Sequence, residues 1–345
     1  MNLIDSINKP QIISILDLNT EDVATFLTKE YPKNKGSFIL RHGEWLHQGN
    51  ENRFFLVVNK KIIGYCGIIP TTIVRNKKKI KAIWWTDLII TKKFRGNGYQ
   101  TIFDNYIRNR PEIKLGFPNK NAAQIHKSHG WEVRNDLKIM LFIIEPRNFL
   151  LSRIKKLEFL FRIIDYLLFL ILNHKARYKS KWSIKKTNLN LKKYIEICSH
   201  AQEDILTTFR DGKYFINRYV NSPFSNQYDF YHCEKSENVK AFLIARRVQN
   251  KKGLIVRIVD LFGSIWDRET VKDLINTLIQ DSIKKNVSQI EILESDPKLQ
   301  KILILSGFIL FKNARFCSYD NKNGRLKLRT PIRWVFADSD SDFLD

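Results

Sequence analysis

The stretch Leu88–Gln100, LIITKKFRGNGYQ, gathers the residue types that hold an anion. An apolar run ends, a basic loop with two glycines follows, and a helical pattern starts near Gly98. The first amides of a helix lack intrahelical acceptors, and the helix dipole adds positive potential there. Gly96 and Gly98 carry no Cβ, so phosphate oxygens can approach the main chain, while Lys92, Lys93 and Arg95 add charge. Taken alone, such a G-x-G is also an ordinary strand–helix turn. Asp87 is the carboxylate nearest the end of the apolar run; it can take a proton from a nucleophile or serve as a structural acid tied to the next loop. His126 falls on the next predicted helix and can simply pack there. Trp84 and Trp85 are neighbours, so in a strand one faces each side of the sheet: one in the core, the other free to stack on a sugar face. No H-E-x-x-H or zinc spacing occurs. Cys66, Cys198, Cys233 and Cys317 lie far apart, which fits a reducing compartment and no disulfide framework. Asp338, Asp340 and Asp342 near the end suggest a metal, but a solvated acidic tail is the better default.

The elements that must position these residues can be read from periodicity. NTEDVATFLTKE (19–30) opens with a capping pattern and predicts a helix. RFFLVV (53–58) and IIGYCGII (62–69), separated by Asn59-Lys60-Lys61, predict a hairpin. IKAIWWTDLII (80–90) is too apolar for a half-exposed strand. A helix to Arg108, a strand at Ile113–Gly116, a polar loop at Pro118–Asn121, a helix to His129 and a strand at Leu137–Ile144 follow. Strands joined to helices by short loops predict an α/β or α+β sheet domain. From residue 187 the order restarts: a helix over 188–209, strands at 241–247 and 254–263, a helix over 268–285, a strand at 289–294, a helix over 297–305 and a last strand after Gly307-Phe308. The chain therefore reads as two copies of one architecture, which suits its 345 residues.

Between the copies, 13 of the 16 residues from Leu157 to Leu172 are apolar. The exceptions, Glu158, Arg162 and Asp165, fall on one helical face. The run is too short and too interrupted to span a bilayer. It fits a helix buried between domains or one lying on an anionic membrane surface next to the basic cluster Lys175–Lys186. The charge agrees: the net +24 of the chain divides into +11 over 1–147, +10 over the 46 residues 148–193, and +3 over the rest. Such a basic excess points to an anionic partner. No nucleic-acid-binding motif accompanies it, so nucleic acid is set aside. Met1–Pro10 lacks the apolar core of an export signal, and the expectation is a cytoplasmic protein, peripheral at most on the inner face of the membrane.

Arg95-Gly96-Asn97-Gly98-Tyr99-Gln100, after Leu88-Ile89-Ile90, resembles motif A of the GNAT N-acyltransferase superfamily, with Gln100 in place of the usual small residue. FPNKNAAQIHKSHGW resembles the superfamily's second element through Asn119, Ala122 and Gly130-Trp131, with His126 where a Tyr is common. The resemblance implies that residues 1–147 bind acetyl-CoA or another acyl-CoA, with no metal. The pyrophosphate would lie on Arg95, Gly96, Asn97, Gly98, Tyr99 and Gln100, with Asn119 and Asn121 beside it. Pantetheine would lie along Leu88, Ile89 and Ile90. Asp87 would deprotonate the amine, and His126 would protonate the leaving thiolate.

The second half lacks the phosphate loop, reading FGSIWDR where one would stand. It carries Arg210-Asp211, Tyr214, Arg218-Tyr219, Pro223 and a terminal Trp334 with Asp338-x-Asp340. That series is similar to tandem-GNAT proteins of bacterial surface-polysaccharide synthesis, with Asn217 where those tend to have Trp. The resemblance implies a fold of two tandem GNAT-like α/β (α+β) domains. These are 1–147, which binds the donor, and 187–345, which shapes the acceptor site or a homodimer contact, bridged by an apolar and basic helical linker over 148–186. It also implies transfer to the amino group of a nucleotide- or lipid-linked sugar, with Trp85, Arg210, Asp338 and Asp340 binding that acceptor. Two alternatives stay open: acyl or aminoacyl transfer to an amino acid or peptide, and an inactive GNAT fold that binds the membrane.

Overall fold

The structure, a computed structural model, describes residues 9–32, 34–145, 182–187, 189–201, 205–235, 238–250, 253–321 and 332–340. Most of the bridge expected over 148–186 therefore lies outside the described residues. Its last four residues, 183–186, belong to a strand, Ser183–Thr187, rather than to a linker.

The first half supplies β1 (Gln11–Ser14), helices α1 (Thr20–Glu30) and α2 (Lys35–His47), then β2 (Arg53–Val58), β3 (Lys61–Arg75) and β4 (Lys78–Ile90). Helix α3 (Tyr99–Arg108), β5 (Ile113–Gly116), α4 (Lys120–Ser128) and β6 (Glu132–Ile143) complete it. The second half supplies β7 (Ser183–Thr187), α5 (Leu191–Ala201), a two-residue strand β8 (Thr207–Thr208) and α6 (Gly212–Phe215), which runs on into a π turn. Then come β9 (Tyr228–Lys235), β10 (Asn238–Asn250), β11 (Gly253–Gly263), α7 (Arg268–Lys284), β12 (Gln289–Glu294), α8 (Pro297–Leu305) and β13 (Ile309–Tyr319). The helix expected over 188–209 is shorter, because Thr207 and Thr208 pair with Val74 and Ile73 of the first half.

All the strands but β8 lie in the order β1-β2-β3-β4-β5-β13-β6-β12-β11-β10-β9-β7, with β8 attached to β3. The two halves thus share one sheet and exchange their last strands. β13 of the second half pairs with β5 of the first, and β6 of the first half pairs with β12 of the second. The arrangement is mixed and mostly antiparallel, with one parallel pair per half, β4–β5 and β11–β12.

Local chemistry accounts for the framework. The β2–β3 and β3–β4 hairpins turn through residues at positive φ, Asn59-Lys60 and Asn76-Lys77, the geometry that matches the twist of paired strands. β3 and β4 read as continuous apolar runs because both of their faces are covered. On one face Phe55 and Tyr65 pack under α1 and α2, and Trp84 meets Phe316 and Trp334 of the second half. On the other, Trp85, Phe54 and Cys66 pack under α3 and α4. All four cysteines are buried and none is joined in a disulfide. α2 has no counterpart in the periodicity read above, because Gly36 and Gly43 weaken its helical signal. Packing explains them: a Cβ at Gly36 would stand 2.0 Å from the Leu27 carbonyl oxygen, so only glycine lets α2 approach α1 this closely.

Candidate functional site

The site begins where two parallel strands part. β4 pairs with β5 only from Ala82 to Trp84, yet β4 continues to Ile90. The β5-side edge of Leu88, Ile89 and Ile90 therefore faces a V-shaped opening rather than a strand. The Arg95 guanidinium donates to the Ile90 carbonyl at 2.8 Å and pins the following loop to the strand end. Gly96 and Gly98 have φ of 86° and 77°, and a Cβ at either would meet no atom within 4 Å. The glycines thus serve backbone conformation, and the space beyond them is open. α3 starts at Tyr99 with Gly98 as its N-cap and no side chain on its first amides. Asn97 and Gln100 lie in this loop and first turn, and the Gln100 amide nitrogen is buried without a partner. Asn119 caps α4 by accepting from the Ala122 amide at 2.9 Å, and Asn121 is exposed on the same first turn. These two are thus held by or placed on α4, apart from the first turn of α3.

Beside the opening lies a buried group of acids and bases. β4 carries one extra residue between the pairs Gly67–Thr86 and Tyr65–Ile89, a β-bulge that leaves Asp87 at φ 56°. The bulge turns the Asp87 carboxylate toward α2, where Lys35 Nζ stands 2.7 Å from Oδ1 and His47 Nε2 stands 3.5 Å from Oδ2. His47 is held in turn: its Nδ1 lies 3.2 Å from the Ile68 carbonyl and the Tyr65 hydroxyl lies 3.1 Å from Nε2. Its ring fills the space a Cβ at Gly67 would need, 2.1 Å from Cε1. The Tyr31 hydroxyl donates to the Asp87 carbonyl. Burial pushes the Asp87 carboxyl up, but Lys35 and His47 more than offset it and hold the group well below the usual carboxylate range. Burial works against the Lys35 charge, and Asp87 more than restores it, so its pKa is raised.

The C-terminal segment completes this group. Asp340 is 8% exposed, and burial together with the ionised Asp87 pushes its carboxyl up to about 6. Two carboxyls driven apart in this way are the pattern of an acid–base pair. The expectation of a solvated acidic tail is thus corrected for two of its three acids: Asp338 and Asp340 are both buried, since the chain folds back between the halves, while Asp342 lies outside the described residues.

A cleft of about 390 Å³ leads to this segment. α2 contributes Trp45, β3 and β4 contribute Thr72 and Lys81, and the second half contributes Phe209, Lys213 and Tyr214. Ala337, Asp338 and Ser339, the three residues before Asp340, form part of its wall. The Trp45 indole donates to the Asn217 carbonyl at 2.9 Å, so a first-half helix and the second half are tied at the rim. Asp211 is engaged in capping α6 and Glu112 pairs with Arg110, whereas Lys81 and Lys213 have no ion-pair partner among the described residues.

Several residues expected to act together lie elsewhere. His126 is 5% exposed on α4 and packs on Trp85 and Trp131, with ring centroids 5.0 and 4.7 Å away. Its neighbour Asp104 accepts from the Trp131 indole at 2.9 Å, pairs with Arg108 at 2.6 Å and His129 at 3.0 Å, and stands 3.5 Å from His126. This network joins α3 to α4 on the face of the sheet opposite α2, so Asp87 and His126 are not brought together. Trp85 belongs to the same core and is 7% exposed, which removes it from the acceptor cleft. Arg210 is 1% exposed and bonds Asp260 at 2.8 Å and Asp338 at 2.9 Å; Arg210 is thus held inside the second half, and Asp338, though it borders the cleft, is engaged by Arg210. Sequence reasoning missed Lys35, His47, Tyr31 and Tyr65. A lone Lys and a lone His on an unrecognised helix give no motif, and only the β4 bulge makes them neighbours of Asp87. Among the described residues no group of three or more His, Cys, Asp or Glu is placed to hold a metal, and no helix is long and apolar enough to cross a membrane.

No protein-family model matches the chain, and no curated protein matches it by sequence. Solved structures do match its fold. Saccharomyces cerevisiae N-myristoyltransferase with bound myristoyl-CoA aligns with a TM-score of 0.59 at 13% identity, over 90% of this chain and 82% of that one. A GCN5-related N-acetyltransferase from Anabaena variabilis aligns with a TM-score of 0.61 at 11% identity, over 90% and 72% of the two chains. An Enterococcus faecalis protein described as a probable N-acyltransferase aligns at 0.57 and 8% identity, over 90% and 72%. The fold expected from the sequence is borne out: the chain has the GNAT fold, in tandem.

Proposed function

We propose that this protein is a GNAT-type N-acyltransferase that moves an acyl group from a CoA thioester to a primary amine. The observation that carries the reading is the open V between β4 and β5, ending in the uncapped N-terminus of α3. An extended thioester can pair with the free edge of Leu88–Ile90 while its pyrophosphate takes the amides around Gly96–Tyr99. Amides near the β4 bulge are then positioned to stabilise the oxyanion of the tetrahedral intermediate. The amine nitrogen attacks the carbonyl carbon, the C–N bond forms, and the C–S bond breaks with its electron pair leaving on sulfur. Asp340 receives the proton of the attacking amine, directly or through one water, and the thiolate takes a proton from solvent. Asp87 stays ionised against Lys35 and raises the basicity of Asp340.

The cleft supports an anionic acceptor. Lys81 and Lys213 face it with no ion-pair partner among the described residues, and Trp45 and Phe209 supply apolar walls. A nucleotide- or lipid-linked amino sugar, carrying phosphate beside an amine, has that chemistry and is the favoured substrate class. Two measurements test the reading. Acetyl-CoA is expected to raise the melting temperature, and Gly98→Asp to abolish the rise; no shift with any acyl-CoA overturns the assignment. Mass-spectrometric screening of amino-sugar nucleotides with acetyl-CoA then tests the acceptor, and acylation of peptides alone refutes the sugar.

A further inference from the structure

The corner where α8 meets β13 is built against the usual rule for a water-facing surface. α8 buries Leu299, Ile302 and Leu303, yet leaves Ile304 57% and Leu305 55% exposed. After Gly307, Phe308 anchors the chain against Phe142, with centroids 5.6 Å apart, and Ile309, Leu310 and Phe311 are 49%, 53% and 44% exposed. A half-covered strand exposes every second residue; three in a row are exposed here, where β13 carries a bulge at Phe311 against β6 and joins β5 only from Cys317. Lys298, Lys301 and Leu305 fall at i, i+3 and i+7 along α8, so the cations share a stripe with the apolar end. Lys312 follows Phe311, and Lys298 lies over the ring of Trp266, itself 45% exposed. Large apolar side chains rimmed by lysines and an interfacial tryptophan match the depth profile of a lipid headgroup region.

We propose that this corner docks on an anionic membrane surface. Two observations favour lipid over a second copy of the chain. The exposed apolar area is on the order of 450 Å², well below the roughly 800 Å² per partner that a stable protein interface buries, and two lysine-rimmed corners would repel. The chain also leaves the described residues here: Leu141 pairs with Ile309, β6 ends at Ile143, and the description stops at Glu145. The sequence that departs from this point, 146–181, holds nine Lys and Arg against Glu158 and Asp165. A net charge of +7 therefore belongs to the sequence that leaves the described residues at the apolar corner, and each lysine near an anionic surface adds about 1 kcal/mol of attraction. The proposal is independent of the acyltransferase reading.

Co-sedimentation of the full chain with phosphatidylcholine vesicles, with and without phosphatidylglycerol, tests it. The chain is expected to bind only the phosphatidylglycerol vesicles. The triple variant Ile304→Gln, Leu305→Gln, Phe311→Gln should bind at least tenfold more weakly, and Lys298→Gln, Lys301→Gln, Lys312→Gln should lower the salt sensitivity. Far-ultraviolet circular dichroism of both variants, unchanged from the parent chain, shows that they fold. Failure to bind phosphatidylglycerol vesicles overturns the proposal, as does undiminished binding by the apolar triple variant. A concentration-dependent dimer that the same variant dissolves would assign the corner to self-association instead.

Discussion

Each half of the molecule carries a bulge in its long central strand with an aspartate at or beside it, and the two aspartates have opposite surroundings. In β4 the extra residue lies between Thr86 and Ile89 and presents Asp87; in β11 it lies between Ile258 and Asp260. Asp87 faces Lys35, whose side chain is 25% exposed, and lies beside an opening. Asp260 is fully buried, bonded by Arg210 at 2.8 Å and by the Tyr219 hydroxyl at 3.2 Å. The following helices differ in the same sense. α3 begins on a bare Gly98, whereas α7 begins on Asp267, whose carboxylate accepts from the Glu269 amide at 3.2 Å and from the Thr270 hydroxyl. The chain's own C-terminal stretch lies across the ends of β11 and β12, with Arg333 on Glu294 at 2.9 Å and Ser295 bonding the Ile332 carbonyl at 2.8 Å. One backbone plan therefore gives a candidate site where its polar groups are left unsatisfied, and a rigid support where they are closed by side chains of the same chain.

The largest way to break this contrast is to open the closed side. Arg210→Ala leaves Asp260 and Asp338 buried without their cation, and the expected loss is about 3–5 kcal/mol of stability, read by urea denaturation. Lys35→Ala should cost clearly less stability because the ammonium is partly solvated, while it abolishes transfer by freeing Asp87 to take up a proton. Equal stability losses for the two variants would refute the contrast.

Next in size is the acid–base pair. Asp340→Asn is expected to lower kcat/KM about 100- to 1000-fold with the acetyl-CoA thermal shift intact. In the parent chain kcat/KM is expected to climb with pH through about 6 and then level if Asp340 acts ionised, since its carboxyl is raised to about 6; the variant should lose that limb. Stability runs the other way. A raised carboxyl keeps its proton in the folded chain after the unfolded chain has lost it, so this group's contribution falls as pH rises from the usual carboxylate range to about 6. Asp87, held low, gives a contribution that is present above the usual range and lost as pH falls below it. A pH–rate profile without a limb near 6 removes Asp340 from the mechanism.

These two aspartates also mark what the sequence made legible. Both halves, the order of their elements, and the loop Arg95–Gly98 follow from periodicity and motif, because such signals are local. The exchange of β6 and β13 does not, since pairing partners at these separations leave no local trace. α2 was illegible because the glycines that let it pack closely are the residues that weaken a helical pattern. Asp338-Ser339-Asp340 reads as a solvated tail, for nothing nearby in sequence announces Arg210, Asp87 or Lys35 as its surroundings. Motif alignment offers His126 and strand alternation offers Trp85, but the Asp104 network fixes His126 on the opposite face of the sheet from Asp87, and Trp85 packs in the same core.

The smallest effects sharpen the contrast at the two helix N-termini. Asp267→Ala removes a cap and is expected to cost about 1 kcal/mol of stability, with no change in the acetyl-CoA thermal shift. Gly98→Ala brings in no charge and no cap, but forces a Cβ onto a φ of 77°, which costs on the order of 1 kcal/mol. That Cβ meets no protein atom, so a loss of acetyl-CoA affinity beyond this strain must come from a ligand occupying the space. The comparison of Gly98→Ala with Gly98→Asp then separates backbone strain from electrostatic exclusion. If both variants keep the acetyl-CoA shift of the parent, α3 does not receive the pyrophosphate. If only the aspartate abolishes it, the α3 amides act as an anion seat, the role that Asp267 has closed off at α7.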